Sequence, residues 1–483
     1  MDATPSSSPA LNENKAACTL PRVMGFVDLL MFYIVTGISL RWIATAAKAG
    51  PSSIVIWIGV WLCFYVPLAL SVVELASRYP QEGGLYVWSK KAFGEFAGYI
   101  SAWTYWTSNL PYFAAVLYFA ASNVLYMRGR DWMYLSNRPS YYVWFALISL
   151  AVITLLHLVG LNVGKWLDNV GSLGMWLPVV IIIVMGFIGW YRYGPANDFT
   201  VASFVPSAHF KDMIFWGSLA FALGGCETAS FMGEEVKNAR RNIPRALLLA
   251  GAVVAFCYIV GTVSVLLVLP RNEISDLQGL IEAMRQTADK LGWHGIVPLA
   301  AGLIAISNIG AAGAFLAATA RLPFVVGIDR FLPQAFGKLH SRWRTPFVAL
   351  LTQSICGAVF ILLGQAGTSV KGAYDVLVSM GIITYFIPYL FVFASMFRLQ
   401  WEEDSSNIIH VPGGKPVAIL LACVGFITTL FTIGLSLVPP PEEPNKALAM
   451  IKIIGLTAIL LGVGAVLYYL GKNKRRHHVV AIQ

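Results

Sequence analysis

The sequence predicts an all-α integral membrane protein with twelve transmembrane helices. Three observations carry that reading. The chain of 483 residues is 57% hydrophobic and only 12% charged, whereas soluble domains carry about 25% charged residues. Its mean hydropathy is +0.69. Its apolar residues gather into runs of the length a helix needs to cross a bilayer, about 20 residues. Length alone would suggest several soluble domains, but the hydropathy assigns nearly the whole chain to one polytopic bundle.

The twelve runs lie near 25–47, 54–77, 96–127, 141–161, 170–191, 213–233, 246–269, 295–320, 346–364, 374–397, 416–438 and 448–470. Residues 1–20 are polar and rich in Ser and Ala, with no apolar stretch after a basic start. They read as a disordered cytoplasmic tail rather than a signal peptide. Residues 21–398 form a ten-helix core, 399–415 a cytoplasmic loop, 416–471 two peripheral spans, and 472–483 a basic cytoplasmic tail. The loop "PRNEISDLQGLIEAMRQTADKLGWH" is the longest external segment. Its Leu277, Leu280, Ile281 and Met284 fall on one helical face, which predicts a short amphipathic helix.

An even number of spans puts both termini on one side. Of the 34 Lys and Arg residues, 21 lie on the side that holds the termini and even-numbered loops, so that side is cytoplasmic. Basic inner loops facing anionic lipid account for the net charge of +10 without a nucleic-acid partner. The six cysteines (18, 63, 226, 257, 356, 423) are scattered through apolar runs, and the seven histidines show no metal spacing. No metal or other cofactor is expected. No nucleophile–base constellation or GxxxxGK[ST] loop points to an enzyme or an ATP-driven pump.

Two spans carry faults near their middles. Span 1, "GFVDLLMFYIVTGISLRWIATAA", contains Thr36-Gly37-Ile38-Ser39, and span 6 contains Gly224-Gly225 after Phe221. Each glycine costs roughly 1 kcal/mol against alanine in a helix interior. Close packing of helices through small residues would explain either site alone. Together they fall near the bilayer midplane, five spans apart, in segments of opposite direction. Paired interruptions of this kind point to a transporter binding site. Unwound backbone in a bilayer is tolerated only within protein or around a cavity. Freed amides at a half-helix N-terminus can hold a carboxylate and freed carbonyls an ammonium. An amino acid carries both groups.

Three stretches carry a family resemblance. "ELASRYPQEGGLYVWSKKAFG" (74–94), "EEVKNARRNIPRAL" (234–247) and "ARLPFVVGIDRFLPQAFGKLHSRWRTP" (320–346) resemble the segments after spans 2, 6 and 8 of the amino acid–polyamine–organocation superfamily. The resemblance covers roughly residues 20–470. It implies a LeuT-like fold in which spans 1–5 and 6–10 are inverted repeats, with spans 1 and 6 discontinuous. It also implies a secondary transporter of amino acids or amines, either a proton-coupled symporter or an exchanger. The family's span 1 break usually reads Gly-Ser/Thr-Gly, so the second glycine is replaced or shifted here. Its span 6 break usually reads Gly-aromatic-Glu, and here Cys226 holds the bulky position, which implies a smaller gate or a larger pocket. Some members place a sodium-mimicking lysine in span 5; this chain aligns Met175 there, so that route for proton coupling is absent. Thr319 is the one hydroxyl near the family's span 8 sodium motif. Protons are therefore expected as the coupling ion rather than sodium.

Ionisable residues within spans are functional candidates. Glu227 lies about four residues, so roughly 6 Å, beyond the middle of span 6. Burial disfavours the charged form of a carboxyl, so Glu227 could bind and release a proton, or it could only brace the break. Arg41 lies one turn outward of the span 1 break, either facing the cavity or snorkelling, with Trp42 able to stack on it. Asp28 can stabilise the start of span 1 or form an inner-gate ion pair. Glu74 and Arg321 sit at cytoplasmic span ends, as structural ion pairs or snorkelling side chains. His157 reads as a satisfied core histidine. In span 3, "WTYWTSNLPYF" offers Trp103, Trp106 and Asn109 as pocket lining, with Tyr105, Thr107 and Tyr112 beside them. Ser307 and Asn308 are candidates in span 8. The expected partners are an amino acid, protons and the lipid bilayer; substrate identity and oligomeric state stay open, as does a non-transporting sensor of the same fold.

Overall fold

The computed structural model describes residues 20–207, 210–275, 278–364, 370–402, 408–437 and 446–480. The expected tail segments 1–19 and 481–483 lie outside that range, as does Leu277. Among the described residues the regular elements are helices, with one parallel bridge between Met24 and Val236.

The first stretch is two helices, α1 (Phe26–Gly37) and α2 (Leu40–Lys48). The second joins α3 (Ser52–Val60) to α4 (Val66–Arg78) through a π turn at Trp61–Tyr65. Pro67 has no N–H for the Cys63 carbonyl, and the ladder is re-spaced just ahead of it. After α5 (Leu85–Phe93), the third stretch kinks between α6 (Glu95–Ser108) and α7 (Leu110–Val124). Pro111 is the cause, since it cannot donate to the Thr107 carbonyl. The fourth and fifth stretches are α8 (Pro139–Val159) and α9 (Leu161–Tyr193). The sixth is α10 (Phe210–Ala222), a break, and a 3₁₀ segment Thr228–Glu235. Next come α11 (Ala239–Val268), α12 (Gly279–Leu291) and α13 (Ile296–Ile328). The chain ends with α14 (Phe347–Gly364), α15 (Val370–Leu399), α16 (Gly414–Ser436) and α17 (Lys446–Val480). In α12, Leu280, Ile281 and Met284 are buried, as the apolar face predicts.

Helices thus occupy all twelve predicted stretches. Nine segments among the described residues are long and apolar enough to cross a bilayer. The sixth, ninth and twelfth stretches are not among them; the ninth offers a shorter apolar helix, Phe347–Leu363.

Burial separates centre from edge. The most apolar windows of Glu95–Met127 and Ile296–Ile328 are 83% and 72% buried, against 28% for Gly414–Ser436. Spans 3 and 8 are equivalent positions in two five-helix repeats, and both are central. Spans 1 and 6 are likewise equivalent, and both are broken. Span 11 lies at the periphery. α9 packs along α13, and a Cβ on Gly171 would stand 2.7 Å from the Gly310 Cα. At the N-terminal end of the bundle, Val23 and Met24 donate their N–H groups to the Glu235 carbonyl at 2.9 and 3.1 Å. These bonds tie the lead-in of α1 to the segment after the second break.

Candidate functional site

The first break is a short extended piece. Ile38 (φ −113°, ψ 133°) and Ser39 (φ −130°, ψ 115°) leave helical geometry, and α2 restarts at Leu40. The second break depends on glycine. Gly225 has φ +107°, and a Cβ there would lie 2.7 Å from the Thr36 carbonyl oxygen. Glycine is thus required twice, by backbone conformation and by the close approach of the first broken helix. A Cβ on Gly224 would lie 2.6 Å from the Tyr385 ring and 2.8 Å from the Tyr389 hydroxyl.

One side chain joins the two breaks. The Tyr258 hydroxyl, on α11, accepts the Ser39 N–H at 2.9 Å and donates to the Ala222 carbonyl at 3.0 Å. The Thr228 hydroxyl donates to the Gly225 carbonyl at 2.6 Å and lies 3.3 Å from Thr36 Oγ1.

A cavity of about 90 Å³ opens between the breaks. A single water needs only about 10–15 Å³ by such a measure, so the space admits a small molecule. Thr36, Ile38, Ser39, Arg41 and Trp42 line it from the first broken helix, and Phe221, Ala222 and Gly224 from the second. The kink of span 3 contributes Ser108, Asn109 and Tyr112; α13 contributes Asn308 and Phe315, and α15 contributes Tyr385. The Arg41 guanidinium lies 4.5 Å from the Trp42 ring centroid. Phe221 meets Trp42 and Tyr385 edge-on, with centroids 5.9 and 5.0 Å apart. These three rings form an aromatic wall on one side of the cavity.

Of the residues expected at the site, the cavity brings together Thr36, Ile38, Ser39, Arg41, Asn109, Phe221 and Gly224. Gly37, Gly225 and Cys226 form the backbone of the breaks just outside its wall, with Cys226 only 3% exposed. Glu227 is fully buried below the cavity. Its Oε1 accepts from Tyr105 and, at 3.0 Å, from Tyr389, while Oε2 has no partner among the described residues. Ser307 is buried and donates to the Ile304 carbonyl at 2.7 Å. Trp103 and Trp106 lie on another face of span 3. Trp103 donates to the Leu460 carbonyl at 2.8 Å, and Trp106 to Gln353 Oε1 at 3.3 Å. Asp28 is at the other end of α1, where it accepts the Gly25 N–H at 3.0 Å and pairs with Lys165 at 3.2 Å.

Tyr258, Tyr385, Tyr389 and Phe315 were not foreseen. The only available signal was a phenol within an otherwise apolar run, as in "YFIPYLF" (385–391).

Two discontinuous helices in equivalent places, with a cavity between them and a central pair of spans around it, define a multi-pass membrane transporter of the LeuT-like fold. The structure matches MhsT, whose crystal structure is in complex with L-phenylalanine, at a TM-score of 0.62 over 86% of this chain and 99% of that one. The two are 11% identical, so this likeness speaks of fold alone. The chain belongs to the amino acid permease family, whose model matches residues 24–460, within the amino acid–polyamine–organocation superfamily. An uncharacterised transporter of Legionella pneumophila is 27% identical over 449 residues, 92% of this chain and 95% of that protein. A probable agmatine/putrescine antiporter of Lactococcus lactis, AguD, is 25% identical over 402 residues, 82% of this chain and 84% of that protein.

Proposed function

We propose that this protein is a secondary active transporter that carries amino acids across the cell membrane by alternating access, as a proton-coupled symporter or an amino acid exchanger. The observation that carries the reading is the cavity shared by the two breaks. The N-terminus of α2 presents a positive dipole end near Ser39 and Arg41, which favours the carboxylate of an amino acid. Thr36, Ile38, Ser39, Asn109, Phe221 and Gly224 are the residues we assign to the substrate, with Gly37, Gly225 and Cys226 shaping the backbone around it. Arg41, Glu227 and Asp28 act in gating or coupling.

Both termini are cytoplasmic in this reading. The cavity is lined by the halves of spans 1, 3 and 6 that lie away from Met24 and Glu235, so it faces outward while the inner end is closed. Residues 21–398 work as the transport core, and 416–471 flank it.

An amine carrier is the second reading, favoured by the likeness to AguD. A polyamine needs carboxylates around it. Among the described residues that line the cavity, the charged one is Arg41, which favours a substrate with a carboxylate. The test is uptake into proteoliposomes of a labelled amino acid panel with agmatine and putrescine added, with and without an inward proton gradient. Saturable uptake of an amino acid is expected. Uptake of the amines alone selects the carrier of amines, and saturable binding without flux selects a sensor.

A further inference from the structure

Away from the cavity, one buried polar pair is left over. His157 on α8 and Asp168 on α9 are 2% and 1% exposed. His157 Nε2 lies 3.9 Å from Asp168 Oδ1, too far for a hydrogen bond. That nitrogen and both Asp168 oxygens have no hydrogen-bond partner among the described residues. His157 is therefore not the satisfied core histidine its sequence context suggested. The packing makes room for the pair. A Cβ on Gly313 of α13 would stand 2.9 Å from His157 Nε2 and 3.3 Å from Asp168 Oδ1. One on Gly164 would stand 2.2 Å from His157 Nδ1. Each unsatisfied buried polar group costs about 1–3 kcal/mol, and three such atoms converge here.

Charge balance identifies what the pair holds. Arg321 lies about two turns beyond Gly313 on α13, the helix packed against both residues. Its Nε and Nη2 donate to Glu235 at 2.8 and 3.0 Å, and Glu82 Oε1 is 3.9 Å away. Burial, reinforced by the Glu235 carboxylate, pushes Glu82 well above the usual carboxylate range. Glu235, which takes two hydrogen bonds from the guanidinium, balances Arg321. The other elements packed around the pair bring no free charge among the described residues. Asp28 of α1 is held by Lys165 and Asn169, and Thr154 of α8 is bonded to Ser354 of α14. Asp168 is left with His157 alone. A buried charge without a counter-ion costs several kcal/mol, and one proton shared by the pair removes it.

We propose that His157 and Asp168 form a proton-binding site, separate from Glu227, whose occupancy controls the Arg321–Glu235 contact. With the proton bound, the pair has no net charge and Arg321 stays on Glu235. When the N–H or O–H bond ionises and the proton leaves to water, the Asp168 carboxylate competes with Glu235 for Arg321. The Glu235 carbonyl holds Val23 and Met24, so weakening that contact loosens the N-terminal end of the bundle. α9 and α13 meet backbone to backbone one turn away, at Gly171 and Gly310, so a shift at Asp168 is passed directly to α13.

The test needs no substrate and does not depend on the transport reading. Amide exchange of segments 20–26 and 231–239 is followed in the full chain in lipid nanodiscs at about pH 5.5 and about pH 8, the range over which the proton shared by the pair is to leave. Rates are corrected for the intrinsic pH dependence of exchange. Both segments should be protected about threefold or more at the lower pH. Asp168→Asn should erase that difference, and His294→Gln, at an exposed histidine remote from the pair, should preserve it. If Asp168→Asn does not fold, His157→Gln carries the same expectation. A wild type with no difference, or a folded Asp168 or His157 variant that keeps it, overturns the proposal.

Discussion

The Tyr258 hydroxyl accepts the Ser39 N–H at 2.9 Å, and the same oxygen donates to the Ala222 carbonyl at 3.0 Å. One atom on α11 therefore satisfies a backbone group in each of the two breaks. The breaks are not independent openings in two helices. They are spaced by a shared hydroxyl on one side and by the contact of Gly225 with Thr36 on the other.

Tyr258→Phe removes that oxygen and keeps the ring, which stacks on Trp57 with centroids 4.5 Å apart. Two buried backbone groups lose a partner, at about 1–3 kcal/mol each. Affinity for the amino acid found in the uptake panel should fall about tenfold or more, where tenfold is about 1.4 kcal/mol. Equilibrium binding on the purified variant measures it. An affinity within about twofold of wild type would show that the hydroxyl does not set the spacing.

Gly225→Ala meets two penalties at once. Its φ of +107° is costly for a residue with a side chain, and the new Cβ would press on the Thr36 carbonyl at 2.7 Å. The variant should lose its thermal transition or unfold well below wild type. Gly434→Ala, in a helix with nothing within 4 Å of the new atom, should be neutral or stabilised by up to about 1 kcal/mol. Similar melting of the two variants would refute the assignment of the second break.

The two breaks and Glu227 were legible because glycines and a carboxylate are rare enough in apolar runs to stand out. The side chains that meet them were not. Helical periodicity gives the face on which Trp103 and Trp106 lie, but not which neighbour covers that face. Here Gly464 lies against the Trp103 ring, where a Cβ would stand 2.4 Å from it, and Gln353 receives Trp106. Asn109, at the interruption of the span, and Tyr112, just after Pro111, line the cavity instead. Asp168 was hidden for another reason. It sits near Lys165 in sequence and resembles a solvated span end, until the packing of α8 and α13 buries it.

Glu82 gives a pH dependence with a definite sign. It lies in the loop after α4, and burial beside Glu235 raises its carboxyl well above 4.5. The native state then binds a proton that the unfolded chain has already lost, so stability falls as pH rises through the raised value. Glu82→Gln stays neutral throughout. It should melt above wild type near pH 8, and the gap should close as pH falls toward 4.5. Thermal unfolding across that range tests it, and a gap that widens on acidification would reverse the assignment.

Arg41 lines the cavity and lies over Trp42 at 4.5 Å. If its guanidinium draws the substrate carboxylate, Arg41→Ala should weaken binding about tenfold or more, since hydrogen bonds to charged groups contribute about 1.5–3 kcal/mol. Arg41→Lys should recover only part, because an ammonium lacks the planar fork. Binding measured at two salt concentrations checks it. Full affinity in Arg41→Ala would remove the residue from the site.

Glu227→Gln separates a proton carrier from a brace. Glutamine has nearly the same volume and still offers an oxygen to Tyr105 and Tyr389, the two phenols that converge on Oε1. It cannot take up a proton. If Glu227 couples protonation to alternating access, the variant should bind substrate with near-normal affinity while uptake loses its response to the proton gradient. If the carboxyl only holds the unwound segment in place, the amide does the same work and the pH profile is unchanged. Tyr389→Phe sharpens the distinction, because it removes one phenol while leaving the acid. It should shift the pH profile of uptake if Glu227 titrates during transport, and lower only the melting temperature if Glu227 does not. Proteoliposome uptake with clamped internal and external pH, paired with binding on the same preparation, reads both outcomes.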